Sequence, residues 1–269
     1  MNWSKQLCVK PGHAVRLTGY PTDWTGNFKD KDDARDALAG NIARMDQLQN
    51  LLYAQRKYAL LIVLQGIDAS GKDGTIRHVM TGLNPQSCVV SSFKEPTPAE
   101  LAHDFLWRIH RVVPGLGEIG IFNRSHYEDV LVVRVHDLVS RDIWKQRYDQ
   151  INAFENILTQ NNTVILKFFL HTSRDTQRVR LQERLQDRTK VWKLSPADFA
   201  ERKLWNDYRQ AYEEALSRCS TPAAPWFVIP ADHKWFRNWA VSQVIVETLE
   251  GLKMKFPKPT FDPAKIRIP

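Results

Sequence analysis

Cysteine is scarce in this chain: Cys8, Cys88 and Cys219 are the three among 269 residues, far apart and odd in number. With no C-x-x-C pair they form neither a disulfide framework nor a zinc knuckle, and they suit a reducing cytoplasm. Long apolar runs are missing as well. No stretch approaches the roughly 18 apolar residues of a membrane span, and residues 1–10 hold no signal-peptide core. The expectation is a cytoplasmic protein without a membrane partner. Internal repeats and low-complexity linkers are absent, so one α/β domain with insertions is the simplest count for a chain that is 43 % apolar. Acids are the minority charge, 30 against 38 Lys and Arg, a net of +8. A basic surplus favours polyanions: nucleotides, longer phosphates or nucleic acid.

What is present reads in order along the chain. Residues 1–31 carry Pro, Gly and aromatics without a period, as an extended arm lying on the domain would. The domain is expected over 32–255 and a Pro-rich tail over 256–269. Leu38, Ile42, Met45, Leu48 and Leu52 recur at helical spacing and predict a helix over 32–55. Apolar runs predict five strands, at 59–64, 88–93, 118–122, 163–171 and 225–230. Helices are expected between them at about 72–81, from Thr97 through His110, at 143–158, from Ser173 into a basic segment, from Ser195 to about 219, and at 234–252. Thr97, Pro98 and Glu100 combine an N-cap, a first-turn proline and a capping-box acid. Strands alternating with helices mean a parallel sheet covered on both faces, with its site at the C-terminal ends of the strands.

The stretch Ala59-Leu-Leu-Ile-Val-Leu-Gln-Gly66-Ile-Asp68-Ala69-Ser70-Gly71-Lys72-Asp73-Gly74-Thr75 runs from buried strand through a glycine-cornered loop to a helix start. Gly66, Gly71 and Lys72 fit the phosphate-binding pattern G-x-x-x-x-G-K-[ST] up to its last place. Glycines let successive N–H groups point at phosphate oxygens; the helix adds its positive end and the lysine a mobile cation. Gly66, Ala69, Ser70, Gly71, Lys72, Asp73 and Gly74 are thus the expected phosphate cradle. Asp73 stands where Ser or Thr would ligate magnesium, and is read as an acid favouring the helix N-terminus. Asp68 lies inside the loop, where only a cation reconciles a carboxylate with phosphates. It is the first candidate magnesium ligand.

Between Arg174 and Lys193 stand seven Lys or Arg against three acids. Arg180, Arg184 and Arg188 are four apart and share a helix face. His110 and His126 read as structural, and Trp107, Trp192 and Trp205 as core or lid packing.

Several of these strings, in order, resemble the polyphosphate kinase 2 family. The phosphate loop is similar to its G/A-x-D-A-x-G-K-D/G-G-T, and Ile121-Phe-Asn123-Arg124-Ser125-His126-Tyr127-Glu128-Asp129-Val-Leu-Val132 to its second motif. His103-Asp104-Phe-Leu-Trp107-Arg108, Arg180-Leu-Gln-Glu-Arg184-Leu and Ala224-Pro-Trp226-Phe-Val-Ile-Pro230-Ala-Asp232 add to it. The resemblance implies a P-loop kinase core, thymidylate kinase-like, with a helical, arginine-rich lid at about 174–196. It implies magnesium-dependent, reversible phosphoryl transfer between inorganic polyphosphate and nucleotides, in a homo-oligomer (dimer or tetramer) that needs no nucleic acid. Carried over by position, Asp68, Lys72, Asn123, Arg124 and Glu128 are the catalytic residues, with Asp68 and Glu128 on Mg2+. Arg124, Arg178, Arg180 and Arg184 are the expected clamps on the polyphosphate. Members handling only diphosphates tend to carry F-D-R-S-W-Y-N. With Asn123 and Glu128, this chain is similar to the class III subgroup that phosphorylates AMP and ADP, and GMP and GDP. An ATP-dependent kinase of a nucleotide or small metabolite, and a non-catalytic nucleic-acid-binding protein using the basic segment, are the two alternative readings.

Overall fold

Strand β1 (Ala59–Gln65) is buried along its whole length. Its side chains alternate between two cores, as the period of a strand requires. Leu60, Ile62 and Leu64 join Met45, Leu48, Leu52, Trp239 and Val244 on one face. Leu61 and Val63 join Tyr148, Ile151, Ala211 and Ala215 on the other. Burial of each such aliphatic side chain contributes about 1.5–3 kcal/mol, so a strand with no polar face belongs at the centre of a covered sheet.

That is where it sits. The structure, a computed structural model, describes residues 2–194 and 196–267, without the side chains of Lys193, Ala197, Asp198 and Ala264. The helix start expected at Ser195 lies outside the described residues, as do Met1, Ile268 and Pro269. Strands β2 (Cys88–Ser92), β3 (Ile119–Asn123), β4 (Thr163–His171) and β5 (Trp226–Pro230) complete a five-stranded sheet of order β2-β3-β1-β4-β5, parallel throughout. The register sets Leu64 beside Asn123 on one side and Phe168 on the other. The strand ends that carry the motifs are therefore neighbours.

The helices are α1 (Trp3–Leu7), α2 (Lys31–Gln55), α3 (Lys72–Val79), α4 (Pro98–Leu101), α5 (Trp107–His110), α6 (Val132–Val135), α7 (Arg141–Gln160), α8 (Arg174–Gln186), α9 (Pro196–Glu201), α10 (Trp205–Cys219) and α11 (Lys234–Gly251). Residues of α2 and α11 fill one core, and those of α7 and α10 the other. Among the described residues no helix is long and apolar enough to cross a membrane.

Two helix expectations are corrected. The capping box forms: Thr97 N donates to Glu100 Oε2 at 2.7 Å and Glu100 N to Thr97 Oγ1 at 3.3 Å. Yet α4 ends at Leu101 and α5 is a separate turn, because Asp104 Oδ1 accepts from Leu106 N at 2.9 Å and competes with a continuing helix. The helix expected to run unbroken to 219 is interrupted by a tighter turn at Arg202–Leu204 between α9 and α10. The N-terminal arm is more than extended chain. Glu247 accepts from Trp3 N and Ser4 N to hold α1, Val9 N donates to Trp226 O, and Leu17 N donates to Glu213.

Candidate active site

The loop after β1 needs unusual backbone. Gly66 has φ +155° and Gly71 φ +108°, and Ala69 also takes a left-handed φ of +63°. Side chains are excluded at both glycines by space as well. A Cβ on Gly66 would meet Ser70 Oγ at 2.6 Å, and one on Gly71 would meet an Arg237 guanidinium nitrogen at 1.9 Å. Lys72 opens α3, and its Nζ turns back to donate to Gly66 O at 2.6 Å. Burial, with Arg124 nearby, holds this ammonium below its ordinary value, against the pull of Asp68, Glu128 and Asp73.

The end of β3 meets the loop. Asn123 Nδ2 donates to Asp73 Oδ1 at 2.9 Å. Arg124, itself left-handed at φ +63°, donates to Asp68 Oδ1 at 2.9 Å and to Glu128 Oε2 at 3.5 Å. Burial alone would lower this guanidinium; Glu128 and then Asp68 more than reverse that and keep it charged. Tyr208, Tyr212, Val132, Gln177 and Glu201 close the other wall of the cleft over Asp68, Arg124 and Glu128. Gln177 ties that wall to the loop, donating to Asp68 O at 3.0 Å and accepting from Arg202 at 2.7 Å.

Behind the second motif lies a buried polar network. Gln65 at the end of β1 donates to Ser125 Oγ. His126 and Tyr127 both bond Glu155 Oε1, at 3.2 and 2.9 Å. Lys167 of β4 donates to Glu155 Oε2, Tyr127 Oη and Cys219 O at 2.5, 2.8 and 2.6 Å. Burial would raise the Glu155 carboxyl, but Lys167 and then His126 carry it below its ordinary value. An apolar core accepts this ion pair because both partners are fully hydrogen-bonded.

The structure brings Asp68, Lys72, Asp73, Asn123, Arg124 and Glu128 together and distributes the basic segment differently. Arg178 is exposed, 3.9 Å from Asp175, and Arg184 is half-buried. Arg180 is not in the lid's open face, as its spacing from Arg184 suggests. It is buried under the loop, donating to Ala69 O, Ser70 O, Ala231 O and Asp232 O at 2.6–3.1 Å. Trp192, read as a packing residue, is 74 % exposed. Sequence reasoning passed over Gln177, Tyr208, Lys167, Glu155 and Arg237. Two of them had a signal: Lys167 is a lone charge in an apolar strand, and Arg237 a lone charge among apolar residues of a helix.

Asp68 and Glu128 offer hard oxygen donors on one side of the cleft, and among the described residues no group of three or more His, Cys, Asp or Glu could hold a metal. One or two carboxylates completed by substrate phosphates is the habit of Mg2+ rather than of a metal caged by protein alone, so these residues fit it. A glycine loop between a central parallel strand and a helix, with its lysine buried near three carboxylates and an arginine, defines a P-loop kinase. The chain belongs to the polyphosphate kinase 2 family: the family model described as Polyphosphate kinase 2 (PPK2) matches residues 28–257. It is 51 % identical to an AMP/ADP-polyphosphate phosphotransferase of Meiothermus ruber over 98 % of this chain and 99 % of that one. It is 45 % identical to an ADP-polyphosphate phosphotransferase of Rhodopseudomonas palustris, over 96 % and 93 %. The crystal structure of polyphosphate kinase 2 from Arthrobacter aurescens TC1 superposes with a TM-score of 0.94 at 41 % identity, covering 98 % of this chain and 94 % of that one.

Proposed function

We propose that this protein transfers phosphoryl groups from inorganic polyphosphate to AMP and ADP, and to GMP and GDP, reversibly and with Mg2+. The observation that carries the reading is Arg124, bonded at once to Asp68 of the phosphate loop and to Glu128 of the second motif. That contact gathers a cation and two carboxylates at the mouth of a phosphate cradle. The names of the relatives from Meiothermus ruber and Rhodopseudomonas palustris support the substrates.

Phosphoryl transfer asks the protein for alignment and charge neutralisation, with little covalent chemistry. Lys72 Nζ exchanges Gly66 O for an oxygen of the transferring group, joined by the first-turn amides of α3. Arg124 stabilises charge on the equatorial oxygens. Arg178 and Arg184 hold the rest of the chain from the lid, and Tyr208 and Tyr212 help to exclude water from the acceptor side. Mg2+, held by Asp68 and Glu128, would neutralise adjacent phosphates. An acceptor phosphate is already ionised, so no residue has to act as a general base.

The test is nucleotide turnover with polyphosphate as the sole donor, across AMP, ADP, GMP and GDP, with and without a chelator, beside a parallel series with ATP as donor. The expected result is conversion of AMP through ADP to ATP, lost on chelation and restored by magnesium. A protein inert with polyphosphate and active with ATP overturns the donor; one inert toward AMP overturns the acceptor range.

A further inference from the structure

Two guanidinium groups converge beneath the phosphate loop with no carboxylate in ion-pair contact among the described residues. Arg180, from the first half of α8, spends its nitrogens on four backbone carbonyls, two in the loop and two after β5. Arg237, from the first turns of α11, is 3 % exposed; it donates to Ser70 O at 3.3 Å and to its neighbour Asn238 Oδ1. Both therefore meet at the Ser70 carbonyl. The acids that act on Arg180, Asp232 and Glu183, do so from longer range; the Asp232 carboxylate is taken by Ser173 N and Thr22 Oγ1. Burial, and then Arg180, pushes Arg237 down to about 9, as expected of a cation without a counter-charge.

Such an arrangement is costly for a carbonyl anchor that a neutral amide could supply. Its placement gives the reason. A trans peptide sets the Gly71 N–H opposite the Ser70 C=O, so pinning that carbonyl from behind turns the amide toward the front of the loop. The Arg237 guanidinium also lies against Gly71 and Gly74, where added Cβ atoms would stand 1.9 and 3.2 Å from its nitrogens. These two glycines thus bring a buried positive charge up to the backbone whose other side faces phosphate.

We propose that Arg180 and Arg237 form a second layer of positive charge behind the phosphate loop, whose counter-charge is the polyphosphate bound in front of it, and that Arg237 is a positioning residue for the donor. The inference rests on the reading of polyphosphate as donor and adds to it where the countering charge is stored. It sets Arg237 apart from the lid arginines: its charge acts through the loop and never touches the chain.

Arg237→Gln and Arg237→Lys in the full chain test it, with tripolyphosphate and AMP titrated separately by calorimetry and each protein melted with and without tripolyphosphate. Arg237→Gln should weaken tripolyphosphate binding by roughly tenfold or more, the size of a charge interaction across a few ångströms at protein-like dielectric, with little change for AMP. It should melt no lower than the parent without anion, yet gain less from tripolyphosphate, and Arg237→Lys should recover much of the lost affinity. A purely structural Arg237 predicts the opposite pair, a lower melting point and an unchanged gain, and that result overturns the inference. If Arg237→Gln does not fold, Arg180→Gln carries the same comparison. A parent that binds no tripolyphosphate overturns the donor reading together with the inference; a parent that binds it as Arg237→Gln does overturns the inference alone.

Discussion

Asn123 Nδ2 donates to Asp73 Oδ1 at 2.9 Å and joins the end of β3 to the first turn of α3. Each residue departs from a pattern: Asp73 replaces the Ser or Thr of the loop motif, and Asn123 stands where the family resemblance leads to the expectation of Asp in members that handle only diphosphates. The two departures are partners, and an Asp at 123 would face the Asp73 carboxylate directly.

Asn123→Asp is therefore expected to raise the magnesium requirement and to lower the rate on AMP relative to ADP, since like charges in contact need a proton or a cation between them. Asp73→Asn added to it should restore both, with a coupling of about 0.5–3 kcal/mol. Initial rates of the four proteins on AMP and ADP, at saturating polyphosphate, measure it. Strictly additive effects would show that the contact is idle.

In the proposed transfer Lys72 meets the transferring group, and its removal should cost on the order of 100-fold in kcat, as loss of one preorganised donor does. Because its ammonium is desolvated and held below its ordinary value, Lys72→Ala should melt at or slightly above the parent when no phosphate is present. A variant that melts well below the parent would make the lysine a structural strut.

The Lys167–Glu155 pair supports the second motif from behind. Lys167→Met leaves the Glu155 charge buried and unpaired, and should destabilise by about 3–5 kcal/mol in denaturant titrations. Pairing it with Glu155→Leu should recover most of that loss. If both single variants are mild, the turn from His126 to Val130 is held by its apolar contacts instead.

Asp129 supplies a pH dependence. Burial pushes its carboxyl up to about 6 from an ordinary 3.8, against Arg147, 2.9 Å away, and Arg108. The folded protein binds this proton more tightly than the unfolded chain, so the contribution to stability is full below the ordinary value and is lost as pH rises through about 6. Asp129→Asn should remove that component. The stability difference, parent minus variant, should fall between pH 4 and pH 6 and be level above; a difference that rises over the same interval would mean that Arg147 outweighs burial.

Strands β1, β4 and β5 were legible because each is a nearly unbroken apolar run, which a covered parallel sheet demands, and β1 and β4 follow the expected spans almost to the residue. The edge strand β2 ends in two serines and exposes both of its valines. The loop residues and the second motif were legible because glycine and charge at fixed spacing have few other uses. Arg180 was placed wrongly because spacing shows that it shares a face with Arg184, but not that the helix turns that position toward the loop's carbonyls. Asp104 shows the same limit at short range: nothing in its spacing reveals that its side chain, rather than the helix, takes the Leu106 amide. Arg237 stood out as a lone charge in an apolar stretch, but its place at the loop was invisible for a related reason. Its partner in the loop is a single backbone oxygen, Ser70 O, 167 residues away, and backbone leaves no trace in a pattern of side chains.

The strand order has a consequence for how the chain comes into being. β1 is made before any of the strands that flank it, and it pairs with β3 and β4 only after those later segments exist. The loop it carries gains its Arg180 ties later, and its Arg237 tie later still. Contacts so far apart in sequence form slowly. A nascent chain halted before α11 would display the whole glycine motif and still lack one of the fastenings that shape it. The earliest-written part of the phosphate site is thus completed only once α11, the last of the described α-helices, has been made.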